Sequence, residues 1–140
     1  MRIGPWHRRI VLATLILVAA SGVLWFVLHD VLDHPSDEVM RALLILHGVT
    51  SFATGIAFGS VLPLHALKSY QQRRHLVTGL SVTAALAVLI GTALLLYYGS
   101  EETREWARLV HLIAGFAFIA VMVVHVIAAR RLRRATLARS

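Results

Sequence analysis

Apolar residues arrive along the chain in four long runs, about Ile10–Leu28, Ala42–Leu67, Leu76–Tyr98 and Leu109–Ala129, with short polar stretches between them. Read as helices rising 1.5 Å per residue, all four are long enough to cross a hydrocarbon core of ~30 Å. Nothing alternates as a barrel strand would, and backbone in lipid must satisfy its own hydrogen bonds, so the runs predict transmembrane helices. The expected fold is all-α: an integral membrane, up-down-up-down four-helix bundle forming a single domain over residues 1–140. The opening "MRIGPWHRRIVLATLILVAASG" resembles a signal peptide. Its apolar stretch continues through "VLWFVL", beyond the ~7–15 residues of a signal core, which favours an uncleaved helix.

Composition agrees with the pattern. Of the 140 residues, 58% are hydrophobic and 15% charged, whereas a soluble domain carries roughly 25% charged residues. Mean hydropathy is +0.73. A net charge of +7 raises the question of nucleic acid. The arginines, however, cluster at the ends of apolar runs and form no solvated stripe, so nucleic acid is not an expected partner. The absence of cysteine excludes disulfides, cysteine-ligated iron–sulfur clusters and covalently attached c-type haem.

Charge also sets an expected orientation. Arg2, Arg8 and Arg9, then Lys68, Arg73 and Arg74, then Arg130, Arg131, Arg133, Arg134 and Arg139 fall on one side of the predicted bundle. Every acid falls on the other, from Asp30 to Glu38 and from Glu101 to Glu105. The positive-inside rule then places both termini in the cytoplasm. Trp6, Trp25, Tyr97, Tyr98 and Trp106 lie near span ends, where interfacial aromatics belong.

Histidine changes the picture. His7, His34 and His75 fall in connections and His29 at the outer edge of the first helix, and these read as interfacial. The other four are divided between two helices, His47 and His65 on the second, His111 and His125 on the fourth. Ionisable groups inside a membrane are costly and point to function. At ~100° per residue, the fourteen residues from His111 to His125 and the eighteen from His47 to His65 place each pair on one face. Both helices run from outside to inside. His47 and His111 thus fall near the outer surface, His65 and His125 near the inner one.

Two facing imidazoles at each of two depths suit haem b, an apolar macrocycle whose iron accepts axial histidine. Small residues flank the stripes, as a flat porphyrin requires: Gly48, Ser51, Thr54, Gly55 and Gly59 on the second helix, Gly115 on the fourth. Small-residue packing between membrane helices is the alternative explanation for them. Zinc wants four converging ligands, often with sulfur or carboxylate, and the histidines come in separated pairs. A proton relay or transporter calls for midplane acids, and a channel for more polar lining than Thr54, Thr83 and Thr92 provide.

The segments "LHGVTSFATGIAFGSVLPLH" and "VHLIAGFAFIAVMVVH", with "TGLSVTAALAVLIGTALLLYY" between them, resemble small four-helix di-haem b-type membrane cytochromes. Among these are the cytochrome b subunits of hydrogenases and formate dehydrogenases. The resemblance extends to the flavinylation-associated cytochromes, with their H-x3-G-x9-H helix, and covers about residues 40–130. The resemblance implies transmembrane electron transfer through two bis-histidine haems b, His47 with His111 and His65 with His125. It implies exchange with quinone and a redox partner protein (flavoprotein, hydrogenase or other dehydrogenase) in a bacterial-type inner membrane. Arg41 and Arg108 are candidate propionate partners on the outer side, Lys68 and Arg130 on the inner. Gly55, Gly59 and Gly115 are candidate cofactor contacts. One departure stands out: the His47–His65 spacing exceeds the family's value of about 14 by four residues, a depth mismatch of about 6 Å. Tilt or a break at Pro63 would absorb it; otherwise only one haem site is complete. The alternatives are a cofactor-free membrane scaffold or assembly subunit, whose histidines bond between helices, and a transporter.

Overall fold

A computed structural model describes residues 4–71 and 76–137, with side chains described for 4–60, Val77, 79–128, Arg130 and Arg131. It is all-α, with no strand among the described residues. Helix α1 spans Pro5–Phe26 and passes into a π-helical turn, Val27–Val31; α2 spans Glu38–Gln71, α3 Leu76–Tyr98 and α4 Glu101–Leu137. All four helices are long and apolar enough to cross a membrane.

Helix α3 is coextensive with its apolar run, but α2 and α4 extend well past theirs, to 34 and 37 residues. At 1.5 Å per residue these are about 51 and 55 Å long, more than a bilayer core requires. Hydropathy marks where lipid would begin, whereas helix formation continues through Glu38–Arg41, Glu101–Arg108 and the arginines after Ala129 because those residues are good helix formers. Pro5 opens α1, where its missing N–H is no loss. Helix α2 continues through Pro63 without a break.

The chain divides into two units, Met1–Lys68 and Ser69–Ser140. In the first, α1 and α2 form an antiparallel hairpin. Its connection begins where Leu32 N–H reaches back to Val27 O (2.9 Å) and Asp33 adopts a left-handed φ of 49°. A short polar side chain tolerates that conformation. Asp37 then caps α2, its Oδ1 accepting the N–H groups of Val39 and Met40 at 3.0 Å each.

In the second unit, α3 and α4 are joined by Gly99 and Ser100 alone. A β-carbon at Gly99 would strike the Leu95 carbonyl, so the turn requires glycine. Ser100 O accepts Arg104 N–H at 2.9 Å to start α4.

Apolar side chains project outward from both hairpins: Phe52, Ile56, Val77 and Leu80 are each more than 70% exposed. The buried side chains include Leu15 and Met40 in the first hairpin and Val82, Ala107 and Phe118 in the second. Serine and threonine within the helices return their hydroxyl protons to the preceding turn, as Thr54 does to Thr50 O at 2.8 Å. That is the ordinary way to carry a hydroxyl in lipid.

Candidate metal-ligating site

His47 sits in the part of α2 nearer the α1–α2 connection, half-buried, with its ring laid against α1. Its Nδ1 lies 3.0 Å from Val18 O and 3.3 Å from Ser21 Oγ. A carbonyl only accepts, so Nδ1 carries the proton, and the basic lone pair belongs to Nε2. Ser21 donates its own proton to Leu17 O at 2.7 Å, which leaves its oxygen able to share the imidazole N–H. The ring also needs room. A β-carbon on Gly22 would come within 2.9 Å of His47 Cε1, closer than real contacts allow. The Ser21–Gly22 pair therefore supplies both a hydrogen-bonding edge and the space beside it.

The second hairpin repeats the device. His111, also half-buried, presents Nδ1 at 2.8 Å from Thr92 Oγ1. Thr92 is buried and back-bonds to Val88 O at 2.8 Å. With its proton given to Val88 O, Thr92 accepts from His111, and in that tautomer Nε2 is the basic nitrogen. Metal-ligating histidines are characteristically oriented in this way, with one ring N–H donated to a protein acceptor and the other nitrogen left for the metal.

Ser21, Gly22 and Thr92 do not stand out in the sequence as site residues, because α1 and α3 carry no midspan histidine. A signal was present nonetheless. In each hairpin the first helix has a glycine beside a hydroxyl residue, Ser21–Gly22 and Gly91–Thr92. In each the second helix has a histidine followed five residues later by Phe-Ala, at Phe52–Ala53 and Phe116–Ala117. The two hairpins echo one another around His47 and His111.

The remaining candidates fall as follows. His125 is half-buried on α4, fourteen residues after His111. His65 and Lys68 lie on α2, but their side chains are outside the described residues, and His75 lies outside them altogether. His7, read from sequence as part of a connection, is instead in α1, where its Nε2 meets Ser60 Oγ at 2.9 Å. His29 occupies the π turn, stacked on Trp25 with ring centroids 4.4 Å apart and 3.0 Å from Asp30 Oδ1. Arg41 is exposed and lines, with Trp25, His29 and Asp37, an open cleft of about 500 Å³ at the connection end of the first hairpin. Arg108 and Arg130 are exposed on α4. Gly55 and Gly59 border open space, and a β-carbon at Gly115 would meet only Leu89 Cδ2, at 3.9 Å.

Among the described residues, no three His, Asp or Glu side chains gather as a ligand cluster. No family model, curated protein or solved structure matches this chain.

Proposed function

We propose that the protein is an integral membrane b-type cytochrome that passes electrons across the bilayer. The observation that carries this reading is the matched tethering of His47 and His111. Each imidazole is fixed by its Nδ1–H to a neighbouring helix, so the nitrogen suited to metal is defined in advance. The donor set fits haem b, which asks for imidazole from opposite faces and small residues alongside. His47 and His111 would hold one haem near the outer surface, and His125 would contribute to a second near the inner one.

Bound haem supplies one-electron chemistry between ferric and ferrous iron. The protein's part is to orient the imidazoles, exclude water and set the surrounding charge. Arg41 is six residues before His47 and Arg108 three before His111, one to two turns toward the acidic connections, where propionates would need cations. Arg130 and Lys68 are the inner counterparts. The arginine distribution supports a bacterial-type inner membrane location with both termini cytoplasmic. Quinone and a redox protein (a flavoprotein, hydrogenase or other dehydrogenase) are the proposed exchange partners, since the chain's connections are too short to hold a second redox domain.

A cofactor-free scaffold is the competing reading, because the same tethers are also interhelical hydrogen bonds of the kind that hold membrane helices together. Purification in detergent separates the two. The cytochrome is red, sharpens an α band with dithionite and yields about two haem b per chain as pyridine haemochrome. A colourless, folded protein after expression with ample haem overturns the proposal.

A further inference from the structure

The end of the first hairpin far from its connection carries an aromatic–arginine pair that the His47 site does not use. Arg9 lies over the Trp6 ring, its guanidinium carbon 5.3 Å from the ring centroid. Both side chains are exposed, Trp6 to 73%. His7, between them in sequence, turns the other way. Its Nε2–H donates to Ser60 Oγ of α2 at 2.9 Å, Ser60 having given its own proton to Ala57 O. At ~100° per residue, Arg9 stands about 160° around α1 from His7, so it faces away from α2.

The first hairpin offers this pair no carboxylate. Its acids all lie at positions 30–38, and Asp30, the first of them, comes about 31 Å along the helix from Arg9. Arg8, also exposed, adds a second cation beside the first. Toward midspan the face below Trp6 stays apolar and open. Ile10, Ala13, Leu17, Ala20 and Leu24 follow Trp6 at alternating intervals of four and three residues, which keeps them on one stripe about 27 Å long. Ile10, Leu17 and Leu24 are each about half exposed. The positive-inside trend explains why arginines occur at this end. It does not explain why one of them is stacked on an exposed tryptophan at the head of an apolar stripe.

We propose that this face of α1 is a binding site for one anionic phospholipid. The paired N–H groups of Arg9 meet the lipid phosphate, with Trp6 holding the guanidinium at headgroup level. An acyl chain lies along Ile10, Leu17 and Leu24, and Arg8 adds attraction from the flank. Charge complementarity selects the occupant: a cationic head on an apolar stripe, without a nearby acid, matches an anionic head on an apolar tail. The site depends on neither haem nor the cytochrome reading.

The test titrates phosphatidylglycerol into the delipidated full-length protein in non-ionic detergent and counts bound lipid by native mass spectrometry. Phosphatidylcholine with the same chains is the control, and it binds more weakly. Arg9→Gln weakens phosphatidylglycerol binding about fivefold, the size expected of one basic residue at a charged membrane surface. Combining it with Arg8→Gln weakens binding further. Trp6→Leu, which leaves both arginines in place, also weakens it, and Arg104→Gln at the Gly99–Ser100 turn does not. Short-chain phosphatidylglycerol, having the head without the long tail, binds less tightly than the long-chain lipid. Equal binding of the two lipid classes overturns the proposal, as does phosphatidylglycerol binding that survives both arginine substitutions. Full displacement of the lipid by inorganic phosphate would make this a free-anion site, and a protein dimer that closes the stripe to lipid would make it an interface between copies; either result also overturns it.

Discussion

The Nδ1 atom of His47 lies 3.0 Å from the carbonyl oxygen of Val18, a residue 29 positions earlier on the antiparallel helix. An in-helix carbonyl already accepts a backbone N–H, and its second lone pair is used here to orient an imidazole. No side-chain substitution removes that acceptor. His111 depends instead on the Thr92 hydroxyl, which a single substitution deletes. His47 and His111 therefore differ in how easily their orientation is disturbed.

Thr92→Val should expose that difference. It leaves the His111 Nδ1–H without its acceptor and costs about 1–3 kcal/mol. On the proposed cytochrome reading it also weakens the imidazole as a donor to iron, so the midpoint potential of one haem rises. Thr92→Ser keeps the acceptor and restores the potential. Ser21→Ala has a much smaller effect, because the shorter bond to Val18 O persists. Redox titration of the three variants checks this, and equal shifts in Thr92→Val and Ser21→Ala would contradict it.

Gly22→Val targets His47 through space. The added β-carbon sits within 2.9 Å of Cε1, and relieving such a clash costs typically 1–3 kcal/mol. The imidazole is pushed from α1 and loses its fixed orientation. The expected variant folds and melts at lower temperature, and on the proposed cytochrome reading it loses one haem and keeps the other. Electron paramagnetic resonance resolves this as loss of one of two low-spin ferric signals. An unchanged pair of signals would show that His47 ligates no metal.

How much of this was legible beforehand follows from what hydropathy measures. The four spans and the all-α class are written in runs such as Leu76–Tyr98, because lipid selects for apolar residues whatever they touch. The histidines on α2 and α4 are legible for the opposite reason, as costly exceptions. The tethers on α1 and α3 are not. Ser21 and Thr92 look like tolerated small polar residues, and only the antiparallel pairing of each hairpin sets them opposite an imidazole. The ends of the helices were also hidden, since Glu38–Arg41 and Glu101–Arg108 are helical without being apolar. The π turn at Val27–Val31, which carries His29 onto Trp25, has no sequence signature of its own.

Asp37→Ala tests the frame of the first hairpin independently of any cofactor. Asp37 satisfies two orphan N–H groups at the start of α2, and removing a cap of this kind costs about 1 kcal/mol. The loss should appear equally with and without haem, because the cap lies ten residues from His47. Thermal denaturation followed by circular dichroism in detergent gives the comparison. A loss seen only in the haem-loaded protein would place Asp37 at the cofactor instead.

The glycine stripe of α2 yields a prediction in which stability and binding move in opposite directions. Gly55 and Gly59 border open space, with nothing within 4 Å of a β-carbon at either position. Glycine inside a helix is less favourable than alanine by roughly 0.5–1 kcal/mol. On packing within the first hairpin alone, Gly55→Ala and Gly59→Ala should therefore stabilise the haem-free protein or leave it unchanged. If the stripe is kept small because a macrocycle lies against it, the same substitutions weaken haem retention, and Gly55→Leu weakens it further. Melting of the haem-free variants and haem content after dilution into haem-free detergent measure the two effects separately. The expected pattern is equal or higher melting temperature together with faster haem loss. Retention unchanged even in Gly55→Leu would mean that no cofactor touches this face, and the glycines would then be explained as close-packing positions for another membrane helix.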